Sequence, residues 1–149
     1  MKTKQTIPMM QSIHTDIYNI NIDGVGCYIK NVNQRIVKQY PEYNDRYGLV
    51  GSKKWLEMFA QGKISINIRC GQISYIGPDR CEPYEDENIL EIETDRRMIS
   101  YDQNGCWCNP LVKLGAWVRI ETVKIKIPEF GGPVTCLIDT KISILDHAT

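Results

Sequence analysis

The sequence has few of the residues that mark an enzyme, a membrane protein or a nucleic-acid binder. It contains two histidines, His14 and His147, and both lie close to an end of the 149-residue chain. Its apolar runs are only a few residues long, far below the roughly 20 that a membrane-spanning helix requires. Lys plus Arg and Asp plus Glu number 18 each, so the basic excess of a general nucleic-acid or anionic-membrane binder is missing. We therefore expect no membrane association and regard nucleic acid as a disfavoured partner.

Motifs for catalysis and cofactor binding are missing as well. Gly24-Val25-Gly26 is not followed by the rest of a phosphate-binding loop. No serine or cysteine lies in a nucleophile-elbow motif, and two histidines near the chain ends are poor candidates for a buried general base. We expect a protein that is not an enzyme and that binds no cofactor and no metal.

The N-terminal segment and the cysteines indicate the compartment. The first residues carry positive charge but no apolar run of the length that a secretory signal has, so a cytoplasmic location is expected. The six cysteines are then expected to be reduced thiols. Cys106 and Cys108 would share one face of a strand, and a small enzyme or thiol–metal protein centred on them is an alternative. Their spacing is too short for a zinc knuckle, which disfavours that alternative.

What the chain has in abundance is the alternation of apolar and polar residues, over 64–70, 90–94 and 123–127. This period of two is typical of strands with one buried and one exposed face. Strands and helices do not alternate regularly along the chain. The sequence therefore predicts a mainly β (α+β) fold: a bent antiparallel sheet, a sandwich or a partly open barrel of about eight or nine strands. Residues 1–149 are expected to form a single β-rich domain, with 1–12 as a flexible or irregular lead-in.

Turn signals give the predicted strand boundaries. Asp23-Gly24 between two alternating runs predicts a hairpin of strands 16–22 and 25–31. Gly71-Gln72 predicts a second turn, between a strand ending at Cys70 and one beginning at Ile73. The apolar positions change phase near Glu121-Thr122, which predicts a β-bulge in a long strand over 111–127.

Helical signals are fewer. Ser52 is suited to cap a helix over 53–61 that Gly62 would end, and this is the one clear helix predicted. Ile36 and Val37 could open a short helix that stops before Pro41. The segment 40–48 is predicted to be an ordered loop rich in tyrosine.

The first functional hypothesis is a non-catalytic protein-binding domain in which charge complementarity speeds encounter with the partner. Such a domain could function as an immunity or antitoxin-like protein, which covers the active site of a toxin or enzyme. An open strand edge could also serve to form a homo-oligomer. The candidate partner-binding residues are an acidic loop and two aromatic residues, namely Glu82, Glu85, Asp86, Glu87, Trp107 and Tyr101.

The alternative hypothesis is a β module that binds single-stranded nucleic acid. Four basic residues alternate with the apolar residues of 112–127, namely Lys113, Arg119, Lys124 and Lys126. Basic side chains can follow the phosphates while bases stack on exposed aromatic rings. The balanced net charge weighs against this hypothesis, since a charged outer strand face also protects an edge from aggregation.

Overall fold

The computed structural model describes residues 12–79 and 88–147. In chain order the elements are β1 (Ser12–Asn19), α1 (Ile20–Asp23), α2 (Cys27–Gln39), α3 (Pro41–Tyr47), α4 (Lys53–Ala60), β2 (Asn67–Pro78), β3 (Asn88–Thr94), β4 (Met98–Asp102), a 3-10 turn (Gly105–Cys108), β5 (Trp117–Ile127) and β6 (Val134–His147). The strands form one open antiparallel sheet in the order β1-β6-β5-β2-β3-β4. The mainly β, α+β prediction is confirmed, but the prediction of eight or nine strands and one helix is wrong. The described residues form six strands and four α-helices, none of them long and apolar enough to cross a membrane.

The predicted hairpin at Asp23-Gly24 is wrong, because a helix occupies the place of its second strand. β1 ends at Asn19, and Gly24 follows the short α1 with a positive φ of 74°. In α2, Ile29, Val32 and Ile36 are buried, and their spacing of three and four residues is that of one helix face. The short apolar alternation in 25–31 suggested a strand, but the longer stripe of apolar residues at helical spacing shows why this segment forms α2. The helix predicted to stop before Pro41 does stop there, but it begins at Cys27.

The second predicted turn is also absent, since β2 runs without a break through Gly71 and Gln72. Gly71 lies in the strand because of a close approach: a Cβ there would be 2.6 Å from Ile92 Cγ2 and 2.7 Å from the Glu93 carbonyl oxygen. Glu93 faces Gln72 and Thr94 faces Gly71 in the antiparallel β2–β3 register. The glycine is therefore explained by the neighbouring strand rather than by a turn.

The helix predicted over 53–61 is confirmed as α4. The Trp55 backbone N–H donates to the Ser52 hydroxyl oxygen at 3.3 Å, so Ser52 is the N-terminal cap that the sequence indicates. Gly62 follows the helix with a φ of 75°, in the left-handed region that favours glycine.

The described residues divide into two compact units. The first comprises 12–17, 69–79, 88–120 and 142–147, and its buried residues include Ile73, Leu90, Ile92, Trp107 and Val118. The second comprises 18–68 and 121–141. Its core consists of the buried faces of α1, α2 and α4, together with Val50, Ile64, Val123, Ile125, Ile127, Cys136 and Ile138. The single domain remains a prediction, and nearly all of the expected lead-in lies outside the described residues.

The change of phase in β5 is present. The buried residues of this strand are Val118, Ile120, Thr122, Val123, Ile125 and Ile127. The buried residues thus fall at even positions up to Thr122 and at odd positions from Val123. The strand passes from the first unit to the second after Ile120, two residues before this change of phase. An inserted residue and a change of the buried face both produce this pattern, so the β-bulge near Glu121-Thr122 stays a prediction.

Candidate functional site

A groove of about 470 Å³ lies in the second unit between α3 and the last part of β5. We call it the tyrosine–lysine groove. It is lined by Tyr40, Glu42, Tyr43, Arg46 and Tyr47 on one side and by Lys124, Ile125 and Lys126 on the other. Its volume is within the range of pockets that hold small ligands or short peptide segments.

The first wall exists because residues 41–47 form a helix and not the predicted loop. Pro41 is at the first helical position, where its missing N–H needs no partner and its fixed φ suits a helix. Gly48 ends the helix with a φ of 83°. The Lys54 ammonium donates to the Asp45 carbonyl oxygen at 2.6 Å and so ties the end of α3 to α4.

The three tyrosines of this wall pack against one another. Tyr43 and Tyr47 are four residues apart on one helix face, with ring centroids 4.8 Å apart, and the Tyr40 and Tyr43 centroids are 5.5 Å apart. Both pairs are tilted by about 45°, which is a favourable aromatic geometry. All three side chains are only partly exposed and pack on the core of the second unit.

Tyr43 is held by a hydrogen bond from the core. The indole Nε1–H of Trp55, which is wholly buried, donates to the Tyr43 hydroxyl oxygen at 3.1 Å. Trp55 in turn stacks on Phe59 with ring centroids 5.2 Å apart. Burial raises the pKa of Tyr43 above its usual 10.0, so the hydroxyl is neutral at physiological pH. Tyr43 is therefore a preorganised and uncharged part of this wall.

The charges of the groove are mainly positive. Lys124 and Lys126 are exposed, and their spacing of two puts both side chains on one face of β5 while Ile125 is buried. The Arg46 guanidinium lies 5.1 Å from the centre of the Tyr47 ring, a cation–π contact. Glu42 is the one acidic residue among those that line the groove, so three cations and one carboxylate give a formal charge of +2.

The four predicted basic residues belong to two different units. Lys124 and Lys126 line the groove of the second unit, whereas Lys113 and Arg119 belong to the first unit. Lys113 is exposed in the loop before β5, and Arg119 is half-buried. The sequence did not indicate that α3 supplies the aromatic residues beside Lys124 and Lys126. The spacing of Tyr40, Tyr43 and Tyr47 by three and four residues is the signal that could have done so.

Trp107 lies in the core of the first unit, with 4% of its surface exposed. It follows Cys106 in the 3-10 turn, and its ring centroid is 4.7 Å from that of the half-buried Tyr101. These two aromatic residues therefore form a packed pair. The acidic part of the predicted docking surface, namely Glu82, Glu85, Asp86 and Glu87, lies outside the described residues.

Cys106 and Cys108 lie on the 3-10 turn and not on a strand. Cys106 is half-buried, and the exposed Cys108 thiol donates to the Gln103 carbonyl oxygen at 3.6 Å. Within residues 12–79 and 88–147, no three His, Cys, Asp or Glu side chains come together in a way that could hold a metal ion. The arrangement gives no specific support to the thiol–metal alternative.

Comparison with known proteins adds no assignment: no protein-family model matches the chain, and no curated protein matches it in sequence.

Proposed function

We propose that this protein is a non-catalytic protein-binding domain and that the tyrosine–lysine groove docks an acidic segment of a partner protein. The observation that supports the proposal is the meeting of three tyrosines and three cationic side chains in one groove of charge +2. Tyrosine and arginine are enriched at protein interfaces, because each combines a large contact area with a polar group. A positive groove also attracts an acidic partner before contact and thereby raises the association rate.

The tyrosine packing favours a protein partner over single-stranded nucleic acid. Bases need an exposed ring face on which to stack. The Tyr43 ring contacts those of both Tyr40 and Tyr47, and the Arg46 guanidinium lies over the Tyr47 ring. A base would have to displace these contacts, whereas a peptide side chain can pack against the edges of the rings.

The narrower form of the proposal is an immunity or antitoxin-like protein that acts in the cytoplasm and blocks a toxin or an enzyme. Its support is the electrostatic character of the groove, which suits rapid capture of a partner. In this form the captured partner loses its activity on binding, and that loss is the measurement that distinguishes it from the general proposal.

The test compares capture of partners by three tagged proteins from the native lysate. They are the wild type, the groove variant Lys124→Glu/Lys126→Glu and the control variant Lys30→Glu/Lys113→Glu. All four lysines are exposed, and both variants have the same net charge. An exposed ion pair contributes about 0.2–1 kcal/mol, and reversal adds repulsion, so we expect binding to be weakened at least about tenfold in the groove variant.

The expected result is a near-stoichiometric protein that the wild type and the control retain and the groove variant loses. Equal recovery of that protein on all three would contradict the proposal. Recovery of nucleic acid, lost only by the groove variant, would favour the alternative function.

A further inference from the structure

The β5 wall of the groove is formed by three consecutive residues, Lys124, Ile125 and Lys126. Consecutive side chains of a strand point to opposite faces of the sheet. A groove that touches all three therefore runs along the edge of the strand, where the main chain lies, and not over one face.

This edge of β5 extends past its neighbour β2. The Ile73 N–H donates to the Ala116 carbonyl oxygen, and the Gly115 N–H donates to the Ile73 carbonyl oxygen, each at 2.9 Å. In an antiparallel pair one strand advances as the other recedes. β2 begins at Asn67, six residues before Ile73, so its first residue lies opposite about residue 122 of β5. Residues 123–127 continue beyond that point.

The chain that precedes β2 does not pair with this edge. Residues 61–66 are in turns and irregular structure, and no backbone hydrogen bond joins them to 123–127. Val123, Ile125 and Ile127 are at most 2% exposed, main chain included, whereas Lys124 and Lys126 are exposed. Main-chain groups of residues two apart point to the same edge of a regular strand, and the Ala116 carbonyl points to β2, so the N–H and C=O groups of Lys124 and Lys126 point to the side of β5 on which β2 has ended. They are two residues apart, about 6.6–6.8 Å along a strand, which is the repeat of an added strand.

We propose that the occupant of the groove is an extended acidic peptide segment that adds to the edge of β5 as a further strand, with carboxylates at alternate positions. This inference rests on the proposed function and specifies how the partner binds. Strand addition supplies main-chain hydrogen bonds for affinity, and side chains at alternate positions supply specificity.

The charges specify the sequence of that strand. Lys124 and Lys126 lie on the same face, so an added strand meets both when every second residue along it, which places them all on that face, is Glu or Asp. Arg46, across the groove, adds a third positive charge. Lysines on an edge discourage pairing with neutral or basic strands, and the same lysines favour an acidic one.

The probe is a fluorescein-labelled peptide of alternating glutamate and valine, seven residues long, measured by fluorescence anisotropy at low salt. Two further versions carry backbone N-methyl groups, one on the glutamates and one on the valines. In a strand the N–H groups of successive residues point to opposite edges, so those of the glutamates share one edge and those of the valines the other, and only one of these versions loses the hydrogen bonds to β5. Each lost bond is a modest net loss, and two or more together weaken binding about tenfold or more.

The expected result is that the unmodified peptide binds, that Lys124→Glu/Lys126→Glu abolishes binding, and that one N-methylated version binds at least tenfold more weakly than the other. If both N-methylated versions bind as the unmodified peptide does, strand addition is refuted while the acidic docking site stands. If the unmodified peptide does not bind to the wild type at millimolar concentration, both this inference and the proposed function are contradicted.

Discussion

Replacing Asn33 with alanine should destabilise the second unit through the loss of two hydrogen bonds to one residue. The Asn33 Nδ2 donates to the Val50 carbonyl oxygen at 3.0 Å, and the Val50 backbone N–H donates to Asn33 Oδ1 at 2.8 Å. Val50 is only 2% exposed, so water cannot readily replace the lost partners. The side chain joins α2 to the turn that precedes α4.

The magnitude follows from the two buried backbone groups. Each buried donor or acceptor left without a partner costs about 1–3 kcal/mol, which gives about 2–6 kcal/mol for the pair. Alanine is a better helix former than asparagine by about 0.5 kcal/mol, which offsets a small part of this cost. Asn31→Ala is the matched control, because Asn31 is exposed on the same helix and its replacement by alanine brings the same gain in helix propensity.

The assay is equilibrium unfolding in urea followed by circular dichroism, with the wild type, Asn33→Ala and Asn31→Ala measured side by side. We expect the free energy of unfolding of Asn33→Ala to lie at least about 2 kcal/mol below that of Asn31→Ala, with similar slopes. A difference smaller than about 0.5 kcal/mol would mean that the two hydrogen bonds contribute no more than an ordinary exposed contact, which contradicts this prediction.

Three other predictions concern stability. Gly71→Ala should lower the free energy of unfolding in urea by about 1–3 kcal/mol, because the new Cβ would meet the Glu93 carbonyl oxygen at 2.7 Å; an unchanged midpoint would contradict the close approach. Tyr43→Phe should cost about 1–3 kcal/mol by leaving the buried Trp55 N–H without its acceptor. Burial raises the pKa of Tyr43 above its usual 10.0, so the unfolded state loses the tyrosine proton at a lower pH than the folded state does. The free energy of unfolding of the wild type should therefore fall as pH rises above 10.0. The free energy of unfolding of Tyr43→Phe should fall less over the same rise in pH. An equal fall in both proteins would exclude Tyr43 as the cause of the pH dependence. Treatment with a chelator should leave the thermal unfolding midpoint unchanged, whereas a lower midpoint would revive the thiol–metal alternative at Gly105–Cys108.

Much of the sheet and α4 could be predicted because their signals are local. Alternation over five or more residues identified β3 and the two halves of β5. In α4 the cap, the apolar stripe and the final glycine all indicated the same helix. Agreement among independent local signals made these predictions reliable.

The errors arose where one local signal was taken alone. Asp23-Gly24 does contain a glycine with positive φ, but the residues after it carry the longer helical stripe of α2. Gly71 suggested a turn, whereas its cause is the approach of β3, a neighbour that the sequence does not reveal. Ile66 and Ile68 fit the alternation as core residues, yet they are 37% and 49% exposed, Ile66 just before β2 and Ile68 at its start.

The groove could be predicted only in parts. The tyrosine-rich segment 40–48 and the basic residues Lys124 and Lys126 both stand out in the sequence, but about 80 residues separate them. Their meeting depends on how α3 packs in the second unit, which is tertiary information. The acidic loop, by contrast, was conspicuous because its charges are adjacent in the chain.

The central claim, that the tyrosine–lysine groove receives an acidic segment, is tested most directly by nuclear magnetic resonance. The ¹⁵N-labelled protein is titrated with the alternating glutamate–valine peptide, and the shifts of the backbone amides are followed residue by residue. If the acidic peptide occupies the groove, the largest shifts fall on 40–48 and 123–127 and vanish in Lys124→Glu/Lys126→Glu. Shifts confined to other residues, or the same shifts in the variant, would contradict it.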